Sequence, residues 1–489
     1  MRRLLPLLAL LAVAVPAAAS TGIRGTAGND FLQVAWGGKQ AVHCGAGTDV
    51  VTADQQDQVA PDCEVVSRRL SVDTTTDVRA QHETAVEPDS FAWGSTVVAA
   101  FQLGRIASGA SAAIGWATST DAGRTWKRGV LPGITADSSP PGQEVSASDP
   151  TVAYDAVHGV WLIATLTLEA KTSHVLVARS ADGQVWSTPV VGATGPVLDK
   201  DWIVCDNQPA SPHRGRCYDA FSDDANDQTL VSWSDDGGAT WSAPARASAI
   251  LVGTQPLVLP NGTLVVVAGD YNGEQGLSGA IDSLVSVDGG QTYTRVTVAT
   301  FQAAPSGPMR AISLPSVAED AAGKLYAVWD DCRFRAGCTG NDLVLTTSTD
   351  GLTWTPPAQV PTSPARTTFL PAIAASQTQP GRLGLVYTYE PDGSCTAGGT
   401  CLLHEAFVSS GTGGTGWSAP QRLDAEAMQD DWLAETDQGR MLGDYVAASF
   451  AGSRVVPVFA LAIAPLSGRL REAIFAASLP WHPSPGGRR

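Results

Sequence analysis

The chain of 489 residues is poor in charge, and poorer still in positive charge. Charged residues make up 16% of it, and 31 Lys and Arg stand against 48 Asp and Glu, a formal net charge of −17. That deficit argues against nucleic acid and anionic membrane surfaces as partners. Beyond the first twenty residues, no apolar run approaches the length of a bilayer span, so membrane insertion is not expected. The 7 histidines are scattered and no C-x-x-C pair occurs, which argues against a structural zinc site.

What is abundant points to β-structure. The sequence holds 50 Gly and 14 Trp, the composition of a chain with many tight turns and large anchoring side chains. Its start reads as a secretory leader over residues 1–19. Arg2 and Arg3 precede an apolar run from Leu4 to Pro16, and Ala17-Ala18-Ala19 offers a small-residue cleavage site. A secreted, extracellular protein is therefore expected. The 8 cysteines fit that compartment. They fall as near neighbours, Cys44 with Cys63, Cys205 with Cys217, Cys332 with Cys338 and Cys395 with Cys401, and local pairing is the simplest connectivity.

One octad recurs along the chain. Ser234-Asp235-Asp236-Gly237-Gly238-Ala239-Thr240-Trp241 has the form S-x-D-x-G-x-T-W, as does the segment from Ser119 to Trp126. Ser286 to Tyr293 differs only in its last aromatic. Two versions are one residue shorter, Ser180 to Trp186 and Ser348 to Trp354, and a sixth, Ser410 to Trp417, lacks the Asp. Physically this is a hairpin turn: Asp accepts backbone N–H groups just ahead of it, Gly supplies the reversal, and the aromatic residue opens the next strand. The anchors Trp126, Trp186, Trp241, Tyr293, Trp354 and Trp417 recur at roughly 52 to 63 residues, one propeller blade per repeat. A turn motif of this kind explains the octad residues structurally, without a role in chemistry.

The octads closely resemble the Asp-box of the sialidase (BNR-repeat) superfamily. The resemblance implies an all-β fold, a six- or seven-bladed sialidase-like β-propeller over residues 76–480. Opening strands count seven units: a β-rich start after residue 84, then Ser148–Tyr154, Asp199–Val204, Pro256–Leu259, Leu314–Ala318, Phe369–Ile373 and Gly443–Ala448. Octads count six. The last unit lacks an outer strand, which Val65–Val72 could supply to close the ring. Asn261-Gly262 between apolar runs reads as a hairpin turn, and residues 481–489 read as a disordered tail.

Residues 20–75 differ from the rest. Gly25 to Leu32 and Cys44 to Val51 resemble two turns of the RTX nonapeptide pattern, whose carboxylates can coordinate Ca²⁺. Asp30 and Asp49 are the candidate ligands. The competing reading is a small cap closed by Cys44 and Cys63, and no cofactor is required by either.

Chemistry in a propeller is expected at the mouth of the central channel, on the loops entering the innermost strands. The residues there include Glu87, Asp89, Asp149, Asp199 to Asp201, Gln255, Arg310, Arg333, Arg440, Asp444 and Tyr445. The sialidase resemblance implies three arginines holding a substrate carboxylate, a Tyr nucleophile activated by Glu, and an Asp acid. Arg310, Arg440 and Arg333 are the binding candidates, and Tyr445 and Asp149 the catalytic ones. The first-blade place of the family's R-I-P segment is taken by Val86-Glu87-Pro88-Asp89, which is acidic. Structural alternatives stand beside each: inter-blade ion pairs for Arg310 and Arg440, a core position for Tyr445, a turn cap for Asp149. Two functions follow from the resemblance, an exo-α-sialidase-type glycoside hydrolase or a non-catalytic propeller binding a glycan or protein at the cell surface. A monomer with a glycan partner is expected in both.

Overall fold

A computed structural model describes residues 22–168, 172–273, 276–362, 365–395 and 400–481. The leader expected over 1–19 and the tail from 482 onward lie outside them. Among the described residues the only helical elements are two short 3-10 turns, Ala336–Cys338 and Asp430–Trp432.

The strands form seven four-stranded antiparallel blades. In blade 1 the order is Ala80–Trp93, Thr96–Ile106, Ser111–Ser119 and Lys127–Val130. The innermost strands of blades 2 to 7 are Ala147–Asp155, Leu198–Cys205, Val252–Val258, Ser316–Glu319, Thr367–Ala375 and Ala447–Ala451. These seven strands neighbour one another in sequence around a central channel, and the seventh returns to the first. Middle strands such as Thr96–Ile106 are buried along almost their whole length. Both their faces are covered by adjoining blades, which is why the sequence there runs Val-Val-Ala-Ala-Phe instead of alternating.

Each octad makes the turn between the third and fourth strands. In the first, Asp121 Oδ1 accepts the amides of Arg124 (3.1 Å) and Thr125 (2.9 Å). Its Oδ2 accepts the Thr125 hydroxyl at 2.7 Å. Ser119 Oγ accepts the Gly123 amide at 2.8 Å, and Trp126 Nε1 donates to the Gly123 carbonyl at 3.0 Å. The sixth repeat keeps this plan without its Asp: Ser410 Oγ accepts the Gly414 amide, and Trp417 Nε1 donates to the Gly414 carbonyl. Asn261-Gly262 forms the expected turn between Val258 and Leu264. All four near-neighbour disulfides are formed.

The seventh blade is completed from the other end of the chain. Val65–Arg69 pairs with Glu472–Ala477, so the last blade runs Ala447–Ala451, Arg454–Ala462, Glu472–Ala477, Val65–Arg69. The same strand pairs in parallel with Val50–Ala53, which pairs with Phe31–Gln33. Gly22–Arg24, Ala41–His43 and Gln58–Val59 form a second parallel ladder. The N-terminal segment is thus a short two-sheet roll fused to blade 7.

A recurring bond joins the inner strands. The first residue after the bulge, or in blade 5 the first of the strand, accepts through its side chain a backbone N–H of the next blade: Asp89 from Val152 (2.7 Å), Thr151 from Ile203 (3.3 Å), Gln255 from Val317 (2.5 Å) and Ser316 from Ile373 (3.1 Å). At the blade 3–4 seam the acceptor position is Trp202. Its counterpart is Pro256, which has no N–H to satisfy.

In two octads desolvation opposes ionisation of the Asp carboxyl, but the hydroxyls and amides it accepts together outweigh it and lower the group to about 2, Asp236 held by Thr240 and Ser234 and Asp288 by Thr292 and Ser286. A depressed carboxyl contributes stability that is present above its unfolded value and disappears as pH falls through the folded one. The double variant Asp236→Asn, Asp288→Asn should therefore have a lower urea midpoint than the parent at pH 7. The two midpoints should converge between about pH 4 and pH 2; a gap that stays constant would refute the assignment.

Candidate functional site

The channel mouth is built by bulges. Four inner strands open with a register shift and a residue at positive φ: Glu87 (52°), Asp149 (47°), Lys200 (55°) and Leu370 (49°). Proline follows three of them, Pro88, Pro150 and Pro371, and Gly253 fills the equivalent place in blade 4. The repeated x-Pro pair at a strand start was a legible signal of this geometry. The bulge brings a charged side chain from blades 1, 2 and 3 into one buried cluster.

Lys200 is its hub. The ammonium lies 2.5 Å from Asp444 Oδ2, 3.8 Å from Asp149 Oδ2 and 3.9 Å from Glu87 Oε1. Arg310 grips the same Asp444 through two bonds, Nε to Oδ1 at 2.8 Å and Nη2 to Oδ2 at 2.6 Å. Backbone donors complete the carboxylates: the Asp444 amide to Glu87 Oε1 (3.1 Å) and the Lys200 amide to Asp149 Oδ2 (3.1 Å). Ser148 donates to Asp149, and Gln102 bridges Glu87 and Ser148. Gly443 makes this closeness possible, since a Cβ there would sit 3.0 Å from the backbone of Glu87.

The electrostatics divide the carboxyls. Burial raises Glu87 to about 8, with Lys200 opposing and Asp444 and Asp149 adding to the rise. Burial would raise Asp444 too, but Lys200 and Arg310 hold it far below the usual carboxylate range. Lys200, which burial would lower, is held well above its ordinary value by Asp149, Asp444 and Glu87.

Tyr445 stands beside this cluster, its ring 5.0 Å from Trp202 and its hydroxyl donating to the Pro150 carbonyl at 3.4 Å. Burial, then Glu87 and Asp149, push the phenol well above its ordinary value, so it is held as the neutral phenol. Trp202, Tyr445, Gln255, Ser316 and Leu370 line the cavity next to Lys200. A loop covers the mouth: the Arg310 amide donates to the Arg440 carbonyl (2.7 Å) and the Arg440 amide to the Pro308 carbonyl (2.9 Å). Gly439 permits that contact, because a Cβ would lie 2.6 Å from the Pro308 oxygen.

Of the residues singled out in the sequence, Glu87, Asp149, Lys200, Arg310, Asp444 and Tyr445 meet here. Arg440 contributes only its backbone; its guanidinium reaches the Leu433 carbonyl (3.3 Å) and Glu435 (3.9 Å). Arg333 belongs to the Cys332–Cys338 loop and binds Asp331 and the Thr300 carbonyl. Asp30 and Asp49 lie in the N-terminal roll. Asp30 Oδ2 accepts the Thr26 amide (2.6 Å), and Asp49 Oδ1 accepts the Asp30 amide (2.7 Å). Ser148, Gln102 and Trp202 were not foreseen.

No family model and no curated protein matches the chain. Among solved structures, a Hadza microbial sialidase is 17% identical over 63% of this chain and 64% of that one, with a TM-score of 0.46. The Trypanosoma rangeli sialidase bound to the inhibitor DANA is 14% identical over 64% of this chain and 54% of its own, at 0.44. The α-L-arabinofuranosidase of Fusarium graminearum with an iminosugar is 16% identical over 58% and 93%, at 0.34. The match spans less than two thirds of the length of both sialidases.

Two outcomes test the cluster. Asp444→Asn leaves Lys200 and Arg310 without their shared carboxylate and should cost about 3–5 kcal/mol in urea unfolding. Glu87→Gln imitates the neutral carboxyl. Because the folded value of Glu87 is raised, its stabilisation is full below about 4.5 and is lost as pH rises through about 8. The Gln variant should flatten the decline of stability across that window, and an unchanged slope would place the titration elsewhere.

Proposed function

We propose that the protein is a secreted propeller that recognises a glycan at the channel mouth and does not hydrolyse sialosides. The observation that carries this reading is the bidentate hold of Arg310 on Asp444. The planar fork that would take a sugar carboxylate is filled by a carboxylate of the chain, and Lys200 is neutralised by the same group. The guanidinium groups of Arg440 and Arg333 are bound elsewhere, to Leu433 with Glu435 and to Asp331 with Thr300. Around the cluster, Trp202 and Tyr445 offer ring faces and Gln255 and Ser316 offer hydrogen-bonding groups, a lining suited to a neutral sugar. Four disulfides support an oxidising compartment.

A second reading is favoured by the opposed protonation of Glu87 and Asp444. A neutral carboxyl beside an ionised one is the arrangement from which glycosidases draw a proton donor and a charge stabiliser. In that case the substrate is a neutral glycoside and Glu87 protonates the leaving oxygen.

The test pairs hydrolysis of a fluorogenic sialoside and a panel of neutral fluorogenic glycosides with a glycan-binding screen, using the parent, Arg310→Ala, Tyr445→Phe and Glu87→Gln. Neutral-glycan binding without turnover is expected. Turnover of a neutral glycoside lost in Glu87→Gln establishes the second reading. Sialoside turnover lost in both Arg310→Ala and Tyr445→Phe overturns both readings in favour of a sialidase.

A further inference from the structure

Blade 3 departs from the other blades at two matched positions. The residue just before the seam position is Pro88, Pro150, Thr254, Pro315 and Pro371 in blades 1, 2, 4, 5 and 6, but Asp201 in blade 3. On the second strand, the residue paired with the second position after the bulge is Ala99, Ile163, Val266, Ala327 and Leu385 elsewhere, but Asp219 here. Both acids face blade 2. Asp219 lies between Cys217 and Phe221, and Asp201 is two residues before Ile203. Those three residues pack with Leu162 and Ala164 of blade 2.

Each acid is 1% exposed, and none of their four carboxylate oxygens has a hydrogen-bond partner among the described residues. Among the described residues no cation is within salt-bridge distance of either. The nearby Lys200 is engaged by Asp444, Asp149 and Glu87. Two unneutralised carboxylates buried between blades would cost several kcal/mol each, and blades 1, 2, 4, 5 and 6 place no acid at either position.

We propose that Asp201 and Asp219 together bind a divalent cation with a preference for oxygen ligands, Ca²⁺ foremost, between blades 2 and 3. Two carboxylates match the charge of one such ion, and Ca²⁺ tolerates irregular oxygen shells. The described residues hold no group of three or more His, Cys, Asp or Glu side chains that could enclose a metal. The rest of the shell therefore falls to main-chain oxygens of the bulge and to water. Burial, with Asp219 and Asp149 nearby, raises Asp201 well above the usual carboxylate range, in keeping with a site that demands a counter-charge. Since Asp201 adjoins Lys200, the ion would also fix the bulge that aims Lys200 into the charged cluster.

The experiment measures metal content by mass spectrometry and Tm against added Ca²⁺ or chelator on the mature protein. About one divalent cation per chain is expected, with Tm falling on chelation and recovering with Ca²⁺. The variant Asp201→Pro, Asp219→Val copies the other blades, and it should fold, carry no cation and ignore chelator. Asp201→Asn, Asp219→Asn provides a second, closer isostere. A control, Asp30→Asn with Asp49→Asn, separates the N-terminal roll and should retain the ion. A metal-free parent whose Tm ignores Ca²⁺ and rises as pH falls from 8 to 5 overturns the proposal in favour of protonated carboxyls. A cation kept by both double variants of Asp201 and Asp219 but lost in the control overturns it in favour of the roll.

Discussion

An innermost propeller strand has a ladder partner on one side only, and its other edge faces the central channel and the next blade. Every N–H on that edge needs a partner, because an unpaired buried amide costs as much as a lost hydrogen bond. Here the partner is a side chain of the preceding blade. Asp89, Thr151, Gln255 and Ser316 differ in chemistry but occupy one register position and perform one task. At the blade 3–4 seam Trp202 cannot accept, and the residue it faces is Pro256, which has no N–H; at the blade 6–7 seam the position is Ala372, which cannot accept either. Where blade 7 meets blade 1, Ser90 and Ser449 take over, hydroxyl to hydroxyl at 2.9 Å. Blade spacing, and with it the channel, follows from this one bond.

The bulge just before that position decides what the channel mouth contains. In five of the seven inner strands a bulge holds one residue at positive φ, a conformation that carries strain for any residue but glycine. Blade 4 meets the demand with Gly253, while blades 1, 2 and 3 place Glu87, Asp149 and Lys200 there. Charges so placed cannot hydrate, and Asp444 with Arg310 completes a network in which each ion has an opposite at hand. Such a network gives little net stability compared with an apolar core, yet losing any single member is expensive. It also means that the site's charge is balanced within the chain itself.

Local features were the legible ones. The octads, the opening strands, Asn261-Gly262 and the four cysteine pairs all act within a few to a few tens of residues, and the structure shows each. The closing role of Val65–Val72 was legible by counting, since a blade short of one strand must find it elsewhere; the strand spans Val65–Arg69. The charged hub was legible as a set of positions at the channel mouth, Glu87, Asp149, Lys200, Arg310 and Asp444, but its pairing was not. Lys200 and Asp444 are 244 residues apart, and only ring closure brings them together. Arginines were misleading as a class. Arg333 and Arg440 carry nearby acids, Asp331 and Glu435, and a short-range partner within the same loop captured each before a distant site could.

Ring closure itself depends on the first described segment. Val65–Arg69 is at once the last strand of a parallel ladder and the outer strand of an antiparallel blade, so one continuous sheet runs from Phe31–Gln33 to Ala447–Ala451. Ala35, Val50, Val65 and Leu70 share a single core with Phe475 and Ala477, and Trp36 packs 5.6 Å from the Phe475 ring beneath Arg69. The roll's acids are engaged in the same cause. Asp30 and Asp49 accept amides of neighbouring turns, and Glu64 accepts the Asp49 amide at 2.9 Å, so the carboxylates pin one turn to the next. Ser67 then donates to the Leu423 carbonyl of blade 6. A roll bound this tightly is no appendage: it cannot detach without taking the outer strand from blade 7. The N-terminal roll and the blade whose inner strand follows Asp444 are therefore parts of one sheet system.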